Sequence, residues 1–186
     1  MRCFIAIDID EGIRNQIARL QRALCDKAGP IKRGVKWVDP AIIHLTLKFL
    51  GEVRDRQINQ VCGIVEELAA SHESFSLNIR KLGAFGSVAR VLWVGTDENE
   101  ALSALQKDLA ERLCEVGFAG DKKQFSGHLT LCRIKNSSAG RTLGKLIKDY
   151  DTLDLGALEV NSVCIYKSEL TKAGPEYTLI SRSLLQ

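Results

Sequence analysis

Apolar residues in this chain follow two periods, and the switches between them predict its elements. Ile13, Ile17, Leu20 and Leu24 recur at helical spacing, which predicts an amphipathic helix from Glu11 to about Asp26, ended by Gly29-Pro30. Ile58, Val61, Cys62, Val65, Leu68 and Ala69 form a second stripe. Leu102, Leu105, Leu109, Leu113 and Val116 form a third, over Glu98 to Glu115. Short runs rich in β-branched and aromatic residues predict strands at Arg2–Asp8, Ile42–Leu50, Phe75–Leu82, Arg90–Gly95, Gly127–Ile134, Leu155–Tyr166 and Glu176–Ser183. Ile31–Pro40 reads as a basic loop or short strand, Gly83–Ala89 as a flexible turn and Gly117–Gly127 as a loop. Asn136–Lys148 reads as a turn leading into a short helix, and Lys172–Pro175 as a hairpin connection. Strands joined partly by short turns favour an α+β class with antiparallel sheets over a doubly wound parallel sheet. Both halves run helix, basic loop, strand. The expectation is one bilobal unit over residues 1–186, built by duplication with pseudo-twofold symmetry. Two antiparallel β-sheets with flanking helices would surround a central cleft.

One strand in each half carries the same tetrapeptide, His44-Leu45-Thr46-Leu47 and His128-Leu129-Thr130-Leu131, and these use two of the 3 histidines in the chain. Alternation along a strand puts His44 and Thr46 on one face and the leucines on the other, and likewise for His128 and Thr130. Two such strands set face to face would surround one small anion with two imidazoles and two hydroxyls. Imidazole titrates near neutrality, so one ring can accept a proton while the other donates one. The hydroxyls can donate to phosphate oxygens where charge develops. Arg133 offers a fork suited to phosphate, but strict alternation points it away from His128, so it reaches the site only if the strand bulges near Cys132. Cys132 itself reads as a buried structural thiol, and His72 as a solvated loop residue. Trp37, Phe85 and Trp93 read as packing residues, one of which could stack on a base. Lys32, Arg33, Lys36, Lys122 and Lys123 precede the two motifs and would form a positive rim.

Composition narrows the setting. A formal net charge of +3 permits an anionic substrate without demanding nucleic acid. No apolar run is long enough to span a bilayer, and the acidic residues Asp8, Asp10 and Glu11 suit no signal peptide. The 6 cysteines include no CxxC pair, which predicts reduced, mostly buried thiols in a cytoplasmic protein. No HExxH, aspartate cluster or Walker loop accompanies the histidines, so neither a metal nor another cofactor is expected.

The chain resembles the two-histidine (2H) phosphoesterase superfamily, defined by paired His-x-Thr/Ser-x motifs. Within it the chain is similar to the RNA 2′,3′-cyclic phosphodiesterases, also called 2′-5′ RNA ligases. The resemblance rests on MRCFIAID, KWVDPAIIHLTLKFLGEV, RVLWVG, FSGHLTLCRIK and VCIYKSELTKAGPEYTLI, in the expected order over nearly the whole chain. Gly127 departs from the proline common in that family. The resemblance implies metal-independent opening of an RNA 2′,3′-cyclic phosphate to a 2′-phosphomonoester, and reversible ATP-independent 2′-5′ joining. It implies His44 and His128 as the acid–base pair, Thr46 and Thr130 as phosphate binders, and Arg133 as a further binding residue. The expected partner is RNA with a 2′,3′-cyclic phosphate end, tRNA fragments among the candidates, with a monomeric enzyme and no membrane. The alternatives are a phosphodiesterase for a small cyclic nucleotide or ADP-ribose cyclic phosphate, and a non-catalytic RNA- or nucleotide-binding module.

Overall fold

The computed structural model describes residues 1–29, 34–120, 124–172 and 174–186. In chain order the described elements are β1 (Arg2–Asp8), α1 (Glu11–Ala28), β2 (Val35–Trp37), β3 (His44–Glu52), α2 (Asp55–Ala70), β4 (Phe75–Phe85) and β5 (Val91–Thr96). There follow α3 (Glu100–Glu115), β6 (His128–Ile134), α4 (Ser137–Leu146), β7 (Asp154–Val160), β8 (Ser162–Leu170) and β9 (Pro175–Leu184). Short 3₁₀ turns cover Pro40–Ile42 and Ile147–Tyr150. The class is α+β, as the pattern predicts. Three helices begin where a short polar side chain caps the first turn. Asp10 accepts from the Ile13 amide, Asn99 from Leu102, and Asn136 from Ser138 and Ala139.

The strands pair antiparallel in the order β7-β4-β5-β6-β3-β1-β8-β9, with β2 also paired to β6. The two expected sheets are therefore halves of one nine-stranded ladder, joined between β6 and β3 at the single pair Leu45↔Leu129. Beyond that pair the edge of β6 is taken by β2, with Trp37 opposite Cys132 and Val35 opposite Ile134. The buried Gln21 of α1 donates its amide to Val38 O and Leu131 O, satisfying carbonyls where β2 meets β6. β2 thus takes the β6 edge beyond Leu129, so β3 and β6 pair at that one position.

Helices pack in two pairs. α1 and α4 touch each other, with α1 against β7 and α4 against β6. α2 and α3 likewise pair, with α2 against β8 and β9 and α3 against β3. One hydrophobic cluster runs through both halves, from Ile5, Ile17 and Leu45 to Leu92, Leu109 and Leu129.

Three local expectations need correction. Leu155–Tyr166 is two strands, not one: the chain breaks at Asn161, so β7 pairs with β4 while β8 pairs with β1 in the other half. β4 continues through Gly83 to Phe85, and the turn comes only at Gly86, whose φ of 101° suits a residue without a Cβ. His72 is not a solvated loop residue. Its side chain is 20% exposed, and Nε2 stands 3.1 Å from Asp108. That carboxylate is held below its usual range, first by hydrogen bonding from Arg112 and also by His72. Of the thiols, Cys3, Cys132 and Cys164 are buried, whereas Cys25 and Cys114 are exposed. No described helix is long and apolar enough to cross a membrane.

Candidate active site

His44 and His128 open β3 and β6, the two strands at the junction. The strands lie side by side in one sheet rather than face to face, because the leucines of both motifs are claimed by the same core. Leu45 and Leu129 pair directly and are 0% exposed. Their neighbours His44, Thr46, His128 and Thr130 therefore share the opposite face. Extending the antiparallel register by one residue sets His44 across from Thr130 and Thr46 across from His128. The two histidines are then diagonal neighbours, a relation that sets residues about 7–8 Å apart and their Cβ atoms somewhat closer.

Each ring is fixed by the same bond. His44 Nδ1 lies 2.9 Å from Ile42 O, and His128 Nδ1 lies 2.7 Å from Ser126 O. A carbonyl only accepts, so Nδ1 carries a hydrogen in both rings and Nε2 is left for proton exchange with a ligand. Aromatic rings hold the imidazoles laterally. Phe4 stacks on His44 at 4.5 Å and Tyr177 meets it edge-on at 5.3 Å. Phe85 stands edge-on to His128 at 5.0 Å, backed by Trp93. Burial lowers the pKa of His44, against smaller upward effects of Ile42 O and the Asp8 charge. A cavity of about 130 Å³ opens beside this ring, lined by Asp8, Ile42, Ile43, Tyr166 and Tyr177 among others.

Arg133 does reach this face. Between β5 and β6 the register runs Trp93↔Thr130 then Leu92↔Cys132, so Leu131 is an extra residue, a β-bulge. Leu131 and Cys132 consequently both point into the core, and Arg133 emerges exposed on the side of His128. Cys132 is thereby removed from the cleft, and burial pushes its thiol pKa up to about 12. The positive charge of Arg133 is felt at Tyr177 across the cleft. Lys36 pairs with Arg133 in the register and is exposed beside it. Lys32, Arg33, Lys122 and Lys123 lie outside the described residues.

β3 carries the same irregularity. Ala6 pairs with Thr46 and Ile5 with Lys48, so Leu47 is extra and Phe49 takes the place that Arg133 has in β6. Phe49 is 66% exposed on the cleft face. The sequence reading did not single it out, because an apolar residue in an apolar strand looks like core. The signal available was its position: the fifth residue after the first histidine, where the second motif has arginine. Phe4 is hidden in the same way, and Tyr177 stands between Glu176 and Thr178 with no motif to mark it. Trp93 and Phe85 pack behind His128.

The family model for LigT-like phosphoesterases matches residues 7–93 and 94–177, and each segment contains one His-Leu-Thr-Leu. The RNA 2′,3′-cyclic phosphodiesterase of Methanothermobacter thermautotrophicus is 34% identical over 180 residues, covering 96% of this chain and 95% of the relative. Those of Aquifex aeolicus and Methanocaldococcus jannaschii are 31% and 32% identical, covering 100% and 97% of this chain and 97% and 98% of the relatives. Among solved structures, TT0787 of Thermus thermophilus superposes with a TM-score of 0.81 at 25% identity, over 100% of this chain and 98% of that one. The E. coli LigT structure with 3′-AMP shares the fold, with a TM-score of 0.77 at 24% identity over 99% and 97% of the two chains. A fold built around paired His-Leu-Thr-Leu strands and relatives matched end to end lead to one assignment: the chain belongs to the LigT-like phosphoesterase family.

Proposed function

We propose that the chain hydrolyses the 2′,3′-cyclic phosphate at an RNA end to a 2′-phosphomonoester, with His44 and His128 as its acid–base pair. The observation that carries the reading is the junction of β3 and β6. Two imidazoles anchored by the same kind of bond, with two threonine hydroxyls on the same sheet face, support the reading. The substrate class is supported by the relatives, which are named RNA 2′,3′-cyclic phosphodiesterases.

Water attacks phosphorus in line with the bond to ribose O3′. One neutral imidazole takes the water proton at Nε2 as the new P–O bond forms. The other, protonated, gives its Nε2 proton to O3′ as the P–O3′ bond breaks. Each transfer is worth roughly 10²–10⁴ in rate. Thr46 and Thr130 donate to the non-bridging oxygens, and Arg133 supplies a charge beside them. Phe49 offers a flat apolar surface on which a base can stack. A 5′-hydroxyl replacing water would give a 2′-5′ linkage by the same proton transfers, without ATP.

The test is incubation of a 2′,3′-cyclic phosphate oligonucleotide with the protein in EDTA, followed by identification of the product. The expected product is the 2′-phosphate. His44→Ala and His128→Ala each reduce turnover by roughly 10²–10⁴. Full turnover in the double variant ends the reading. Parallel rates on a mononucleotide cyclic phosphate and ADP-ribose cyclic phosphate, at two salt concentrations, distinguish an RNA enzyme. RNA binding weakens as salt rises.

A further inference from the structure

The two halves of the site are not equal: besides the exchange of Arg133 for Phe49, they differ in the residue paired with each histidine. In the β1–β3 register Asp8 pairs with His44. In the β5–β6 register the residue paired with His128 is Gly95. The residue paired with the motif histidine therefore carries a carboxylate in one case and only a hydrogen atom in the other. Asp8 and His44 also line the same cavity. The carboxylate is built in rather than loose. Tyr166 Oη donates to both its oxygens at 2.7 and 2.9 Å, Arg182 Nη2 donates at 2.8 Å, and Cys164 Sγ approaches at 3.6 Å. None of these contacts has a role in the proton transfers above.

We infer that Asp8, held by Tyr166 and Arg182, is a positioning residue that favours the imidazolium form of His44 alone, so that two identical motifs perform unequal tasks. The inference rests on the two-histidine reading for its meaning in catalysis, though not for its test. The titratable groups that share the cavity with His44 are Asp8 from β1, Tyr166 from β8 and Tyr177 from β9, while Cys164 of β8 and Arg182 of β9 contact Asp8. The charge of Arg133 from β6 is felt at Tyr177, and Arg14 of α1 is bonded to Ile9 O and Pro40 O. Asp8 is the one carboxylate in that set, and Arg182 neutralises part of its charge. Burial disfavours the charged ring, and the Asp8 charge works against burial. Through its charge, Asp8 stabilises His44 at the moment the ring carries a proton.

The experiment is an NMR titration of the histidine rings, assigned with His44→Ala and His128→Ala, in the wild type, Asp8→Asn and Tyr166→Phe. Asp8→Asn keeps an acceptor for Tyr166 and removes the charge. It should lower the His44 midpoint by about one pH unit and move that of His128 much less. Tyr166→Phe keeps the charge and should not lower the His44 midpoint. In the pH profile of kcat/KM, Asp8→Asn should shift one limb to lower pH and leave the other in place. The limb that moves identifies the task of His44. The inference is overturned if Asp8→Asn leaves the His44 midpoint unmoved, or if Tyr166→Phe lowers it equally. Full activity of the double histidine variant would instead remove the two-histidine reading and leave the titration result standing.

Discussion

Arg133 stands in the cleft because one leucine too many fits between Thr130 and Cys132. The histidines and threonines were legible from the sequence, since an identical tetrapeptide using two of 3 histidines has few structural excuses. The arginine was legible only as a condition, because a bulge leaves no mark in a single apolar run. Phe49 was illegible until β3 proved to bulge at the same place. Nor does the sequence reveal that Asp8 faces His44, since that follows from strand register. If Arg133 binds a phosphate oxygen, its loss removes a charge-assisted bond worth about 1.5–3 kcal/mol. Arg133→Ala should then lower kcat/KM by about 10–100-fold. Arg133→Lys should recover only part of this, because an ammonium lacks the fork. Steady-state kinetics on a cyclic phosphate oligonucleotide decide it, and unchanged kcat/KM in Arg133→Ala would remove the residue from the site.

At the scale of elements, the helices were easiest to foresee, because a stripe such as Leu102, Leu105, Leu109 and Leu113 has no other use than a buried face. Their first turns follow from Asp10, Asn99 and Asn136. Strand ends were harder. Gly83 suggests a turn, yet it serves as a floor within β4: a Cβ there would lie 2.3 Å from the Trp93 ring. The indole lies across that gap and backs Phe85, which in turn meets His128. Glycine here provides room for an aromatic side chain, which composition cannot distinguish from flexibility. Gly83→Ala should therefore displace Trp93 and loosen the His128 ring, destabilising the fold by about 1–3 kcal/mol through overpacking. Turnover should fall more than stability explains, with altered tryptophan fluorescence in the folded variant. Wild-type fluorescence together with wild-type turnover would contradict this role for Gly83.

On the scale of the molecule, the helix, basic loop and strand order that recurs in the two halves of the sequence does not coincide with the two halves of the sheet. β1, β3, β8 and β9 form one half, drawn from both ends of the chain, and β4, β5, β6 and β7 form the other, drawn from its middle, with β2 also paired to β6. The break at Asn161, hidden inside what reads as one strand, is where the chain crosses between them. Such interleaving makes it difficult for either half to unfold while the other persists, because the chain crosses between them near Ser71–Ser74 and at Asn161, and again where β2 leaves the β1–β3 side to pair with β6. The shared hydrophobic cluster adds to this coupling. Leu129 lies at the single paired junction and is fully buried. Leu129→Ala should cost about 2–5 kcal/mol through lost contacts and a residual cavity. If the halves unfold together, native-state hydrogen exchange will show the opening free energy falling equally for the slowest amides of β4 and of β8. If they are separable, protection will fall in β4 and β5 while β8 keeps its wild-type value, and the substitution in one half will leave the other untouched.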